Sequence, residues 1–209
     1  MKKNERVEIR LSGVELAAVL EGLGLKKMYG FELTREGTTK YELITAIQHL
    51  VERGYLHPED NFYRIDGTAR ALILRIMHSF CTIRLQSFVP PAKNLCLYLG
   101  QTGTTVIEPS ENQKDTFFLY QVQPKKFILD EIRSVTNLKS FGTYKVSDYS
   151  KDVFSINVYR NNENMVHELM IVDKLSCIVV RVDGEEYAAS AELIDSIIEE
   201  VIKKENYSD

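Results

Sequence analysis

No stretch of this sequence approaches the roughly 18 uninterrupted apolar residues that a membrane-crossing helix requires, because charges at strand or helix spacing break its longest apolar segments. The first residues, MKKNERVEIRLS, lack the apolar centre of a secretory signal, so export by that route is not expected. Cysteine is scarce. Cys81, Cys96 and Cys177 lie far apart, are odd in number, and each sits within an apolar run. A free thiol in such surroundings behaves as a small hydrophobe, so buried, unpaired thiols and a reducing, cytoplasmic compartment are expected. Positive charge is not in excess either: the net charge is −4 and neither half is strongly basic, which argues against a surface built to neutralise phosphates. With 44% hydrophobic and 27% charged residues among 209, the composition is that of a folded chain able to bury a substantial core.

Reactive constellations are also missing. His49, His57, His78 and His167 have no second histidine, cysteine or carboxylate at the spacings typical of metal sites, and read as solvated or capping side chains. There is no G-x-S-x-G nucleophile turn; Ser190 stands between a strand and a helix, where N-cap duty explains it. The segment Gly100–Thr104 lacks the Lys-Ser/Thr of a phosphate loop and reads as a hairpin turn. Glu59-Asp60, Glu185-Glu186 and Glu199-Glu200 read as solvating pairs in turns or on a wet helix face. The expectation is a non-enzymatic protein with no catalytic residues, no cofactor and no metal.

What is present is periodicity. Ser12-Gly13-Val14-Glu15 has the form of a capping box and is followed by Leu16, Val19, Leu20 and Leu23 at helical spacing, with Gly24 as the stop. A second box, Thr39 to Glu42, opens a helix to about Arg53 whose core face would be Leu43, Ile44, Ile47, Leu50 and Val51. Tyr55–Ile65 reads as a short hairpin, and Asp66 caps a third helix that buries Ala69, Leu72, Ile73 and Ile76. Residues 1–80 thus read as a winged-helix-like part. From Cys81 the period changes from 3.6 to 2, with Cys81, Ile83 and Leu85 alternating against Thr82, Arg84 and Gln86 as in a half-buried strand. Residues 81–135 read as four strands and a helix opened by Pro124, with Phe127, Ile128, Ile132 and Val135 as its buried face. After a linker, 136–152, residues 153–205 repeat the programme and end in a helix carrying Leu193, Ile194, Ile197, Ile198 and Val201. The expected fold class is α+β: two antiparallel four-strand-plus-helix units, each with its helix on one face, sharing one sheet by edge-to-edge pairing.

The strand Val7–Ser12 leading into the helix Glu15–Leu25, the helix end Leu50-Val51-Glu52-Arg53-Gly54-Tyr55-Leu56, and the helix start Ile65-Asp66 form a succession of phrases. Together they resemble the EspG family, the cytosolic chaperones of type VII (ESX) secretion systems. The resemblance implies one quasi-twofold domain that clamps the apolar tip of a helical-hairpin substrate with its sheet and C-terminal helices, preventing aggregation before export. The Lys, Ile, Tyr and Asn usage looks like that of a low-GC Gram-positive bacterium, which implies a WXG100-like or LXG-type helical substrate in place of a PE–PPE pair. The loop Gln86–Lys93 sets Phe88 and Val89 before two prolines, and these two residues are the candidate partner contacts. Three other readings stay open. One is a winged-helix transcription regulator reading DNA with residues 39–53, although Lys40, Glu42, Glu52 and Arg53 cancel in charge. The others are an enzyme with a scattered site and a structural component of a phage or conjugation apparatus.

Overall fold

The computed structural model describes residues 8–23, 38–89, 92–135, 151–160, 164–173 and 178–206. Strand β1 (Glu8–Ser12) runs directly into helix α1 (Gly13–Gly22). The junction is the expected capping box: the Glu15 amide donates to Ser12 Oγ at 3.2 Å and the Ser12 amide donates to the Glu15 carboxylate at 2.7 Å. Helix α1 then buries Leu16, Val19 and Leu20. The second box, Thr39 with Glu42, opens α2 (Lys40–Glu52). Its end is set by Gly54 at φ +73°, which lets the Tyr55 amide reach the Leu50 carbonyl and the Gly54 amide the Val51 carbonyl, both at 2.9 Å. The hairpin β2 (Leu56–Glu59) and β3 (Phe62–Ile65) follows, and Asp66 caps α3 (Gly67–Met77), which buries the four predicted residues.

Helix α2 departs from expectation. Only Ala46 and Leu50 are fully buried, and Ile44 is 45% exposed. At 3.6 residues per turn Ile44 lies about 120° around the helix from Leu50 and misses the face that meets α1 and β2.

The remaining chain forms a meander twice. The first comprises β4 (Cys81–Ser87), β5 (Asn94–Gly100), β6 (Gly103–Pro109) and β7 (Thr116–Val122), followed by α4 (Pro124–Val135). The second comprises β8 (Lys151–Arg160), β9 (Asn164–Asp173), β10 (Ile178–Val182) and β11 (Glu185–Ala188), followed by α5 (Ala191–Asn206). Of the expected linker, residues 136–150 lie outside the described residues, and 151–152 belong to β8. The first strands of the two meanders pair antiparallel, from Cys81 opposite Arg160 to Ser87 opposite Phe154. The result is one nine-stranded antiparallel sheet in the order β1-β7-β6-β5-β4-β8-β9-β10-β11, with a quasi-twofold relation about the β4–β8 seam.

Strand alternation sorts the core by face. Cys81, Ile83, Leu85, Leu95, Leu97, Leu99, Val106, Tyr120, Ile156, Val158, Leu169, Ile171 and Val180 point to the side that carries α4 and α5. Cys96, Tyr98, Ile107, Leu119, Ile9 and Leu11 point the other way and meet α1, α2 and α3. The first meander is therefore covered on both faces, not one as expected. That is why the polar side of β4 is not wet at its start: Thr82 is fully buried. Each such Leu, Ile or Val contributes about 1.5–3 kcal/mol by leaving water.

Candidate functional site

The face carrying α4 and α5 holds a small apolar cavity. Ile128 and Ile132 of α4 and Ile194 and Ile198 of α5 press onto the sheet. Beneath the C-terminal half of α5 lies a cavity of about 30 Å³. Its walls are Ile83, Ile156, Val158, Leu169 and Val182 of the sheet, Ile128 of α4, and Ile197, Ile198, Val201 and Ile202 of α5, together with His167 and Glu168. A hollow this apolar offers water no partners and stays dry. Ile197, Val201 and Ile202 are only half-buried, so aliphatic surface continues to the outside.

Charge holds the two helices across this face. Lys125 Nζ of α4 reaches Glu199 at 2.8 Å and Asp195 at 2.9 Å, one turn apart on α5, and Lys203 reaches Glu199 at 2.6 Å. Hydrogen bonds from Lys125 and then Lys203 pull the Glu199 carboxyl down to about 2. The same contacts, Glu199 before Asp195, raise the Lys125 ammonium. Ser190 caps α5 as expected, its Oγ accepting from the Leu193 amide at 3.0 Å.

The predicted contact pair lies elsewhere. Phe88 follows the end of β4 with 39% of its surface exposed, its amide donating to the Val153 carbonyl at 3.0 Å. Val89 is half-buried against the α4–α5 core, and its carbonyl accepts from Ser87 Oγ at 2.9 Å. Neither lines the cavity. Sequence reasoning missed the cavity walls, although one signal was present. The apolar residues of α5 cover two adjacent stripes, Ile194/Ile198 and Ile197/Val201, which is more than a single sheet contact consumes.

Other singled-out residues resolve into local roles. His167 Nδ1 lies 3.1 Å from Asp183 and His57 lies 3.8 Å from Asp66, while His49 and His78 are exposed. Among the described residues no cluster of three or more His, Cys, Asp or Glu is arranged to hold a metal ion. Gly100 and Gly103 face each other across the β5–β6 turn, beside the backbone carbonyls of Arg75 and His78 at the end of α3. Three of the acidic pairs do more than solvate: Glu59 binds Arg64 at 2.9 Å, Glu186 binds Arg181 at 2.8 Å, and Glu199 joins the helix clasp. Cys81 and Cys96 are buried thiols outside any disulfide, with burial pushing the Cys96 thiol up to about 12, whereas Cys177 lies outside the described residues.

The phrase Leu50–Leu56 gains a physical meaning. Arg53 Nη1 lies 3.1 Å from both oxygens of the buried Glu15 carboxylate, Nη2 donates to the Arg10 carbonyl, and the guanidinium sits 4.7 Å from the centre of the Tyr55 ring. One of the two cations that a DNA-reading helix would present is thereby committed to the chain's own β1–α1 corner.

No protein-family model matches the sequence, and no curated protein sequence is significantly similar to it. Among solved structures, the chain is similar to the Mycobacterium tuberculosis type VII secretion system chaperone EspG5, solved in complex with a PE25–PPE41 dimer. The match has a TM-score of 0.59 at 7% sequence identity and covers 97% of this chain and 98% of that one. At that identity the likeness is one of fold, and it runs through the whole architecture from β1 to α5.

Proposed function

We propose that this chain is a cytoplasmic chaperone or adaptor that holds a helical substrate of a type VII secretion system, of the WXG100-like or LXG kind, before export. The observation that carries the reading is the likeness in fold, over nearly the full length of both chains, to a chaperone solved with its protein partners. The apolar cavity and the half-buried aliphatic surface of α5 agree with it, because clamping a hydrophobic helical tip requires shape and greasy area and no reacting group. Phe88, exposed just after β4, and Val89, packed against the α4–α5 core, are proposed as a further contact.

Co-expression with a small helical secreted protein encoded beside it, followed by size-exclusion chromatography, tests the reading. Co-elution is expected, with Ile197→Asn and Phe88→Ser each weakening capture at least about tenfold, a loss of roughly 1.4 kcal/mol. A client that elutes alone, with salt-dependent binding of the chain to genomic DNA, would favour the transcription-regulator alternative instead.

A further inference from the structure

The cavity under α5 is too small for its surroundings to be read as a finished docking site. About 30 Å³ is the room of one water molecule, so no Leu, Ile or Phe side chain enters while α5 stays as placed. Helix α5 has the construction of a lever. Its root is fixed: Ala189 is buried and its amide donates to the Ile178 carbonyl at 3.1 Å, and Ser190 caps the first turn. Its far half, with Ile197, Val201 and Ile202, roofs the cavity. Between root and roof, Lys125 bridges from α4 to Asp195 and Glu199, and these charges are all 38–43% exposed, where solvent and salt weaken them.

We propose that α5 is a hinged flap, latched to α4 by Lys125, whose opening admits an aliphatic or aromatic anchor from a protein partner into the cavity. The partner rests on the function proposed above; the movement does not. Loss of the latch leaves the last turns of α5, beyond the buried Ile194 and Ile198, held by the half-buried Ile197, Val201 and Ile202, so its C-terminal half opens before any strand of the sheet does.

Hydrogen exchange by mass spectrometry on the full chain, with binding of the apolar dye ANS, tests the movement without a client. Lys125→Glu should speed exchange about tenfold in peptides covering 195–203 while β4 and β8 stay protected, and should raise dye fluorescence severalfold. The swap Lys125→Glu with Asp195→Lys should restore both readouts. Raising salt from about 0.05 M to about 1 M should reproduce the effect in the wild type and add little to Lys125→Glu. Unchanged exchange in α5, or a rise spread equally over the sheet, would overturn the flap. Normal latch behaviour with no client in the co-elution experiment would overturn the functional reading and leave the flap standing.

Discussion

Replacing Arg53 by alanine is the sharpest test of the corner that joins β1, α1 and α2. Glu15 has 6% of its side chain exposed, whereas Arg53 keeps 37%, so the two sides of the pair differ in what they lose. Removing Arg53 strands a buried carboxylate whose remaining described bond is to the Ser12 amide. Breaking a fully buried pair costs about 3–5 kcal/mol; the exposure of Arg53 lets water replace part of it, which lowers the expected cost to about 2–3 kcal/mol. For a chain of this size that lowers Tm by roughly 5–10 °C. Glu15→Gln keeps an acceptor for the Ser12 amide and leaves Arg53 free to hydrate, so it should cost only about 1 kcal/mol. The double variant should be no less stable than Arg53→Ala alone, since the stranded charge is gone. Urea unfolding of the four proteins gives the coupling directly, and additivity within about 0.3–0.5 kcal/mol would refute the buried-pair argument.

Gly54→Ala places a side chain at φ +73° where nothing lies within 4 Å, so the cost is backbone strain alone, about 1–2 kcal/mol by urea denaturation. Leu85→Ala, 1% exposed on the strand that joins the two meanders, should cost about 2–5 kcal/mol in the same assay. The Glu199 carboxyl is lower in the folded chain, about 2, than its ordinary 4.5. Its stabilising effect is therefore complete above about 4.5 and lost as pH falls toward 2; Glu199→Gln should remove that component from a plot of Tm against pH. Peptide mapping after thiol labelling should find Cys81 and Cys96 unmodified in the native protein and modified after unfolding in guanidinium.

Features set by residues a few positions apart were legible from the sequence. Both capping boxes are i, i+3 devices, and Pro124 opens α4 as its fixed φ predicts. The strands follow from period-2 alternation between turn residues. Thr116–Val122 forms one of the four strands expected in 81–135, and Asp183-Gly184 turns with both residues at positive φ. What the sequence withheld depends on distant partners. The pairing of Arg53 with Glu15 spans 38 residues, and the Lys125–Glu199 contact spans 74. Ile44 fits a helical apolar pattern as well as Leu50 does, and only the position of α1 and β2 decides which of them is buried. The cavity under α5 needs both repeats side by side, which no local pattern encodes. Phe88 and Val89 stand out in the sequence as an apolar pair before two prolines, a local pattern that carries no information on where the second meander places its helix.

The two ends of the nine-stranded sheet are unlike. At one end β1 is tied down, the Arg53 guanidinium donating to the Arg10 carbonyl. At the other, β11 leaves all four of its residues exposed, with Glu186 paired to Arg181 of β10. A sheet this wide that ends in a four-residue strand offers little ladder for a neighbouring copy to extend.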